Sequence, residues 1–102
     1  MGKLKTSIPA NVCFTGQGDK YIEAIIVDLG LDGVRLKVNT SNIQNVAAED
    51  ICKLEFVFLD TVLVGVDCIA RNVSTVDSLY LIGMEISCPI DDVHKELEKL
   101  ME

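Results

Sequence analysis

Tryptophan is absent from this chain of 102 residues, and aromatic residues make up 5% of it. A core with so few aromatic rings must be filled mostly by valine, isoleucine and leucine, and these residues favour β-strands. The one histidine, His94, stands beside Lys95 with no visible catalytic partner. A catalytic nucleophile needs a base placed beside it, and one lone histidine is weak evidence for such a pair, so the sequence predicts that the protein is not an enzyme.

Basic residues are also scarce. The chain has 9 lysines and arginines against 16 aspartates and glutamates, for a net charge of −7. Binding of a nucleic-acid backbone needs clustered cations, so we expect neither DNA nor RNA as a partner. No apolar run approaches the ~20 residues of a membrane-spanning helix, so we expect no membrane span.

The cysteines lack the spacing of a metal site, because no C-x-x-C pair occurs. The four cysteines are widely separated, each in or beside an apolar run: Cys13, Cys52, Cys68 and Cys88. With no signal peptide in view, we expect buried thiols, no disulfide, no bound metal or cofactor, and a cytoplasmic location.

Apolar residues make up 49% of the chain, and much of this content falls in alternating runs. These runs predict six strands, over residues 8–14, 20–29, 34–38, 51–59, 62–73 and 79–86. Within the fifth strand Gly65 indicates a bend or bulge. Short turns join most of the strands, and no β-α-β crossover is visible. This order predicts an all-β antiparallel barrel or curled sheet in one domain, residues 1–102.

Three segments lie outside this strand pattern. Residues 1–7 lack apolar periodicity and are expected to form a flexible arm before a barrel over residues 8–86. The polar stretch 39–50 carries Ile43, Val46 and Ala47 at helical spacing, so a short helical turn is the prediction there. A C-terminal helix over residues 89–101 is predicted from one apolar stripe, Ile90, Val93, Leu97 and Leu100.

The stretch 25–38 organises the chain, because an apolar strand meets a special turn there and a second strand leaves it. Asp28, Gly30 and Gly33 mark the turn, and Arg35 and Lys37 alternate with apolar residues after it. A tight hairpin needs glycine and aspartate for its own geometry. The same residues can instead line a small ligand site, and the local pattern leaves both interpretations open.

Residues 28–33 read D-L-G-L-D-G, which resembles the [DN]-x-S-x-x-G motif of the PilZ domain, a small β-barrel receptor of cyclic di-GMP. Other PilZ features follow in order. Ser7, Ile8 and Pro9 match the start of the first strand, Arg71 ends a later strand, and Gly83 opens a G-x-E-I segment. The resemblance covers nearly the whole chain. It implies a six-stranded antiparallel PilZ-like barrel with a C-terminal α-helix.

The resemblance also implies a nucleotide site, from which this chain departs at three positions. The arm R-x-x-x-R of the family falls on Lys3 and Ser7, and its motif serine falls on Gly30. Neither lysine nor serine replaces a planar guanidinium fork. With charge-assisted hydrogen bonds of about 1.5–3 kcal/mol, two losses weaken binding on the order of a hundred- to ten-thousand-fold. If cyclic di-GMP binds, the implied ligands are Asp28, Gly30, Gly33, Lys3, Ser7, Lys5 and Arg35.

These departures favour a non-enzymatic bacterial signalling adaptor of the cyclic di-GMP pathway, with a degenerate nucleotide site. Such an adaptor acts through a protein partner of a type IV pilus, motility or biofilm system. The alternative is a functional cyclic di-GMP receptor that uses the arm and the turn at residues 28–33. A homodimer formed through the C-terminal helix is a further option.

Overall fold

The computed structural model describes residues 4–16, 20–30, 33–41, 43, 45–58 and 60–87. These residues contain six strands: β1 (Leu4–Phe14), β2 (Ile22–Leu29), β3 (Gly33–Asn39), β4 (Ile51–Phe58), β5 (Thr61–Val76) and β6 (Leu79–Ile86). All neighbours are antiparallel, and the order β1-β2-β3-β6-β5-β4 closes into a barrel. The predicted all-β antiparallel barrel is confirmed. The predicted helix at 89–101 lies outside the described residues.

Alternation along the strands fills the barrel with apolar side chains, mostly aliphatic ones and three phenylalanines. In β4 the side chains of Leu54, Phe56 and Phe58 are buried, as their period of two predicts. In β3 the inward residues Val34, Leu36 and Val38 alternate with Arg35, which is exposed. The residues buried most completely include Ile26, Leu29, Leu36, Leu54 and Ile82.

A bulge in β5 confirms the bend predicted at Gly65. Leu54 pairs with Val66 and Phe56 pairs with Leu63, so β5 has one residue more than β4 between these pairs. Gly65 has a φ of 65°, in the left-handed region that a bulge of this kind needs. Because of the extra residue, Leu63 and Val66 both face the core.

The first strand begins earlier than predicted. Residues 4–7 belong to β1, whereas the sequence predicts a flexible arm over 1–7. Lys5 pairs with Asp28, and the Thr6 hydroxyl donates a 2.6 Å hydrogen bond to the Ile26 carbonyl. These polar residues have no apolar period, so their strand geometry comes from pairing with β2 and not from a local pattern.

The loop between β3 and β4 forms no helical turn among its described residues, which differs from the prediction for Ile43, Val46 and Ala47. Ile43 and Val46 are nevertheless buried in the core. Asn45 and Glu49 have positive φ values of 50° and 77°. Such residues interrupt a helix, and the loop instead anchors its two apolar side chains individually.

The bulge gives a prediction for stability. Replacement of Gly65 by alanine should lower the free energy of unfolding by about 1–2 kcal/mol, because the left-handed conformation crowds a Cβ against the backbone. The space around Gly65 is otherwise open. Urea denaturation of Gly65→Ala measures this, with Gly65→Asn as the control, since asparagine tolerates this conformation better. Equal stability of the alanine variant and the wild type would contradict the bulge geometry.

Candidate functional site

Asp28 is the one charged residue that is buried among the described residues, with 6% of its surface exposed. It lies in β2 between two cations on the neighbouring strands. Lys5 of β1 and Arg35 of β3 are its direct cross-strand partners. The Lys5 Nζ lies 3.9 Å from Asp28 Oδ1, and an Arg35 terminal nitrogen lies 3.6 Å from Oδ2. The carboxylate therefore has a cation on each side.

Two bulges create this arrangement. The pairing of β2 with β3 shifts by one residue between Ile26 and Asp28, and the pairing of β1 with β2 shifts between Lys5 and Ile8. Without the extra residue, Asp28 would follow Ala24 and Ile26 into the core by strict alternation. After the shift Leu29 instead pairs with the buried Val34, and Asp28 lies on the outer face with Lys5 and Arg35.

The turn after β2 is closed by its glycines. The Gly30 N–H donates a 2.8 Å hydrogen bond to the Gly33 carbonyl. A Cβ on Gly33 would lie 2.5 Å from the Met84 carbonyl oxygen on β6, closer than any side chain tolerates. Close packing against β6 therefore explains Gly33 without a ligand.

Beside this turn, a second charge cluster holds Arg71 between two carboxylates. One terminal nitrogen of Arg71 donates to both Glu49 oxygens, at 2.9 and 2.7 Å. Nε and the other terminal nitrogen donate to Glu85 Oε1, at 3.1 and 2.6 Å. These hydrogen bonds, to Glu85 first and Glu49 second, raise the pKa of the Arg71 guanidinium above its ordinary value. Four of the five N–H groups of the Arg71 guanidinium are therefore engaged by carboxylate oxygens.

Backbone contacts hold Glu49 in place. Its N–H donates a 2.7 Å hydrogen bond to the Ala70 carbonyl, and the Ala70 N–H donates to the Asp50 carbonyl at 2.8 Å. Asp50 Oδ2 in turn accepts a 2.9 Å hydrogen bond from the Ala47 N–H. The end of the β3–β4 loop thus extends the pairing with β5 and brings Glu49 to Arg71.

The two clusters lie next to each other. Gly33 pairs directly with Glu85 across β3 and β6, and a surface groove of about 310 Å³ runs between Gly33 and Arg71. Three cations (Lys5, Arg35 and Arg71) lie here within ion-pair distance of three carboxylates (Asp28, Glu49 and Glu85). The described charges at this site therefore cancel.

Most of the residues singled out from sequence come together here. Lys5, Asp28, Gly30, Gly33 and Arg35 lie around one turn, and Ser7 is exposed on β1 two residues beyond Lys5. Lys3 lies outside the described residues. Sequence reasoning missed Glu49 and Glu85. They stand 22 and 14 residues from Arg71, and no local motif indicates either contact.

The cysteines form part of the core. Cys52 and Cys68 pair directly across β4 and β5 and are fully buried free thiols, as predicted, and Cys13 is buried as well. The Cys52 sulfur lies 3.4 Å from the Met84 sulfur. Its hydrogen bond with Cys68, followed by burial, raises the pKa of the Cys52 thiol far above its ordinary value. Cys88 lies outside the described residues.

Two searches of the described part of the chain give negative results. No group of three or more histidine, cysteine, aspartate or glutamate side chains there is arranged to hold a metal ion. No helix in the same residues has the length and apolar character that a membrane crossing requires.

Comparison with known proteins adds no relative. No model of a known protein family matches the sequence, and no curated protein matches it. What the fold and the site define is a closed six-stranded antiparallel β-barrel that carries a charge-balanced turn.

The Gly33 contact predicts a marked loss of stability in one variant. Gly33→Ala should lower the free energy of unfolding by about 1–3 kcal/mol, because β3 or β6 must shift to admit the methyl group. Gly16→Ala is the matched control, since nothing lies within 4 Å of a Cβ there. Thermal denaturation of both variants measures the difference. If they were equally stable, Gly33 would not pack closely against β6.

The thiol environment predicts slow alkylation. Cys52 and Cys68 should resist iodoacetamide at pH 8 in the folded protein, because they have no solvent access and Cys52 has a raised pKa. Mass spectrometry of proteolytic peptides should find both modified only after unfolding in urea. Rapid alkylation of either cysteine without urea would contradict the core packing described above.

Proposed function

We propose that this protein is a PilZ-like, non-enzymatic signalling adaptor of the cyclic di-GMP pathway. On this proposal it has a degenerate nucleotide site and acts through a protein partner of a pilus, motility or biofilm system in the bacterial cytoplasm. The proposal starts from the sequence resemblance. The six-stranded barrel and the position of the turn between β2 and β3 are consistent with it.

The charge balance at the turn is the observation that carries the proposal. A cyclic dinucleotide brings two phosphate charges and needs cations that are free to meet them. Here Arg71 already forms four hydrogen bonds with Glu49 and Glu85. Lys5 and Arg35 both lie beside the buried Asp28 carboxylate. A phosphate would have to displace these carboxylates or lie beside them, and both are unfavourable.

The first strand supports the same conclusion. When the chain is matched to the PilZ motif R-x-x-x-R, Ser7 falls on the second arginine, and Ser7 is an exposed residue of β1. A serine hydroxyl in this position offers a phosphate one neutral hydrogen bond. An arginine would offer a charged planar fork. Gly30 likewise lacks the hydroxyl of the motif serine.

A functional cyclic di-GMP receptor is the second candidate. The long distances between Asp28 and its two cations favour this candidate. The distances of 3.9 Å to Lys5 and 3.6 Å to Arg35 exceed hydrogen-bond length. The Lys5 side chain is 91% exposed, so it can turn towards a phosphate at small cost. On this alternative, Asp28→Ala abolishes nucleotide binding and added salt weakens it.

Isothermal titration with cyclic di-GMP tests the proposal. The wild type should give no binding heat at about 100 μM nucleotide, since the cations are neutralised and the arm lacks arginines. A Lys3→Arg, Ser7→Arg double variant should bind, because it restores two guanidinium forks. Adding Glu49→Gln and Glu85→Gln to this double variant should strengthen the binding, because both carboxylates that engage Arg71 are then removed.

Asp28→Ala serves as the control within the restored background, where it should remove the binding again. A wild-type dissociation constant of about 1 μM or tighter would overturn the adaptor assignment in favour of the receptor. If neither the wild type nor any variant gave binding heat, the turn or the barrel itself would lack a nucleotide site, and the proposed vestigial site would be contradicted.

A further inference from the structure

The outer face of the β4–β5 hairpin exposes an unusual group of valines. Val57, Val62 and Val64 have 52%, 68% and 69% of their surface exposed. Val57 and Val62 are direct cross-strand partners. The inward residues Phe56, Phe58 and Leu63 supply the core contacts of this hairpin. The outward valines are therefore not needed to bury the inner face.

These valines form one wall of a surface groove of about 410 Å³, which we call the valine groove. The opposite wall comes from β1, at Ile8, Pro9 and Asn11. The described pairing of β1 with β4 stops at Ala10 and Phe56, and Pro9 has no N–H to continue it. The two strands are therefore not joined past this point, and the groove lies over the place where their pairing ends.

One acidic residue lines the valine groove and a second lies at the hairpin tip, two residues before Val62; we call this pair, Glu55 and Asp60, the acidic rim. Glu55 lines the groove and accepts one long hydrogen bond from Asn11, at 3.5 Å. Asp60, at the tip of the hairpin, is exposed and has no ion-pair partner among the described residues. The two cations of the hairpin already have partners, because Lys53 is bonded to Asp67 at 2.8 Å and Arg71 is bonded to Glu49 and Glu85. An occupant of this groove thus meets apolar side chains with uncompensated negative charge beside them.

Charge selects among the possible occupants. A second copy of this chain brings a net charge of −7 and the same acidic rim. Residues 88–102 hold five acidic residues and two basic ones, so this segment is also mismatched. We propose that the valine groove binds a protein partner through an apolar segment that carries lysine or arginine beside its apolar residues. This inference rests on the proposed function, because it names the surface through which the adaptor acts.

Fluorescence anisotropy with labelled peptides tests the inference on the full chain. The probe is a peptide of alternating valine and lysine, which presents one apolar and one basic face when extended. A peptide of alternating valine and glutamate, of the same length, is the charge control. The wild type should bind the lysine peptide at least about tenfold more tightly than the glutamate peptide.

Matched variants separate the groove from the overall acidity of the protein. The double variant Val62→Thr, Val64→Thr keeps the charge, the β-branched shape and the strand propensity of the wild type. It should weaken binding of the lysine peptide about tenfold or more. Val76→Thr is the control, since Val76 is 51% exposed at the other end of β5 and outside the groove. It should bind the lysine peptide as the wild type does.

Equal binding by the double variant and the wild type would overturn the inference, and so would the absence of binding to either peptide. Sedimentation velocity adds a third contradictory outcome: self-association that the double variant abolishes would mean that a second copy covers the groove. Titration with cyclic di-GMP keeps the two proposals distinguishable. Tight nucleotide binding by the wild type refutes the adaptor with a degenerate site, whereas absence of peptide binding by the wild type, with no nucleotide binding, refutes the groove alone.

Discussion

The pairing of β1 with β4 is the contact on which the other parts of this barrel depend. It runs from Ala10 opposite Phe56 to Phe14 opposite Cys52 and turns an open sheet into a closed one. The strands are distant in sequence, so this closure has a high cost in chain entropy. An apolar interior offsets that cost by enclosing side chains on all sides. The same closure fixes β1, which carries Lys5 to Asp28 and Pro9 to the valine groove.

Bulges convert this regular barrel into one with a specific site. Four of the six strand pairings change register once. Two of these shifts flank Asp28, and a third falls between Ala70 and Asn72, at Arg71. A regular strand would send neighbouring residues to opposite faces. The charge clusters therefore exist because the ladder is interrupted at these positions, and both clusters meet beside Gly33.

Period-two patterns are sufficient to predict much of this fold from sequence. The strands at 34–38, 51–59 and 79–86 are predicted within one residue of their observed bounds, since each buries alternate apolar side chains. The start of β1 escapes such a pattern, because residues 4–7 are ordered by pairing with β2. At the site, Asp28 and its glycines are visible as turn chemistry. The contacts of Arg71 with Glu49 and Glu85 depend on a loop conformation and a bulge, which no local pattern specifies.

The first strand connects the turn with the valine groove. Lys5 and Pro9 lie four residues apart on β1, about 13 Å along a strand. At one end of this segment Lys5 pairs with Asp28, and the Thr6 hydroxyl donates a hydrogen bond to the Ile26 carbonyl. At the other end Ile8 and Pro9 line the valine groove. On the proposed function, one continuous strand therefore links the degenerate nucleotide site with the surface that binds the partner, because β1 contributes residues to both.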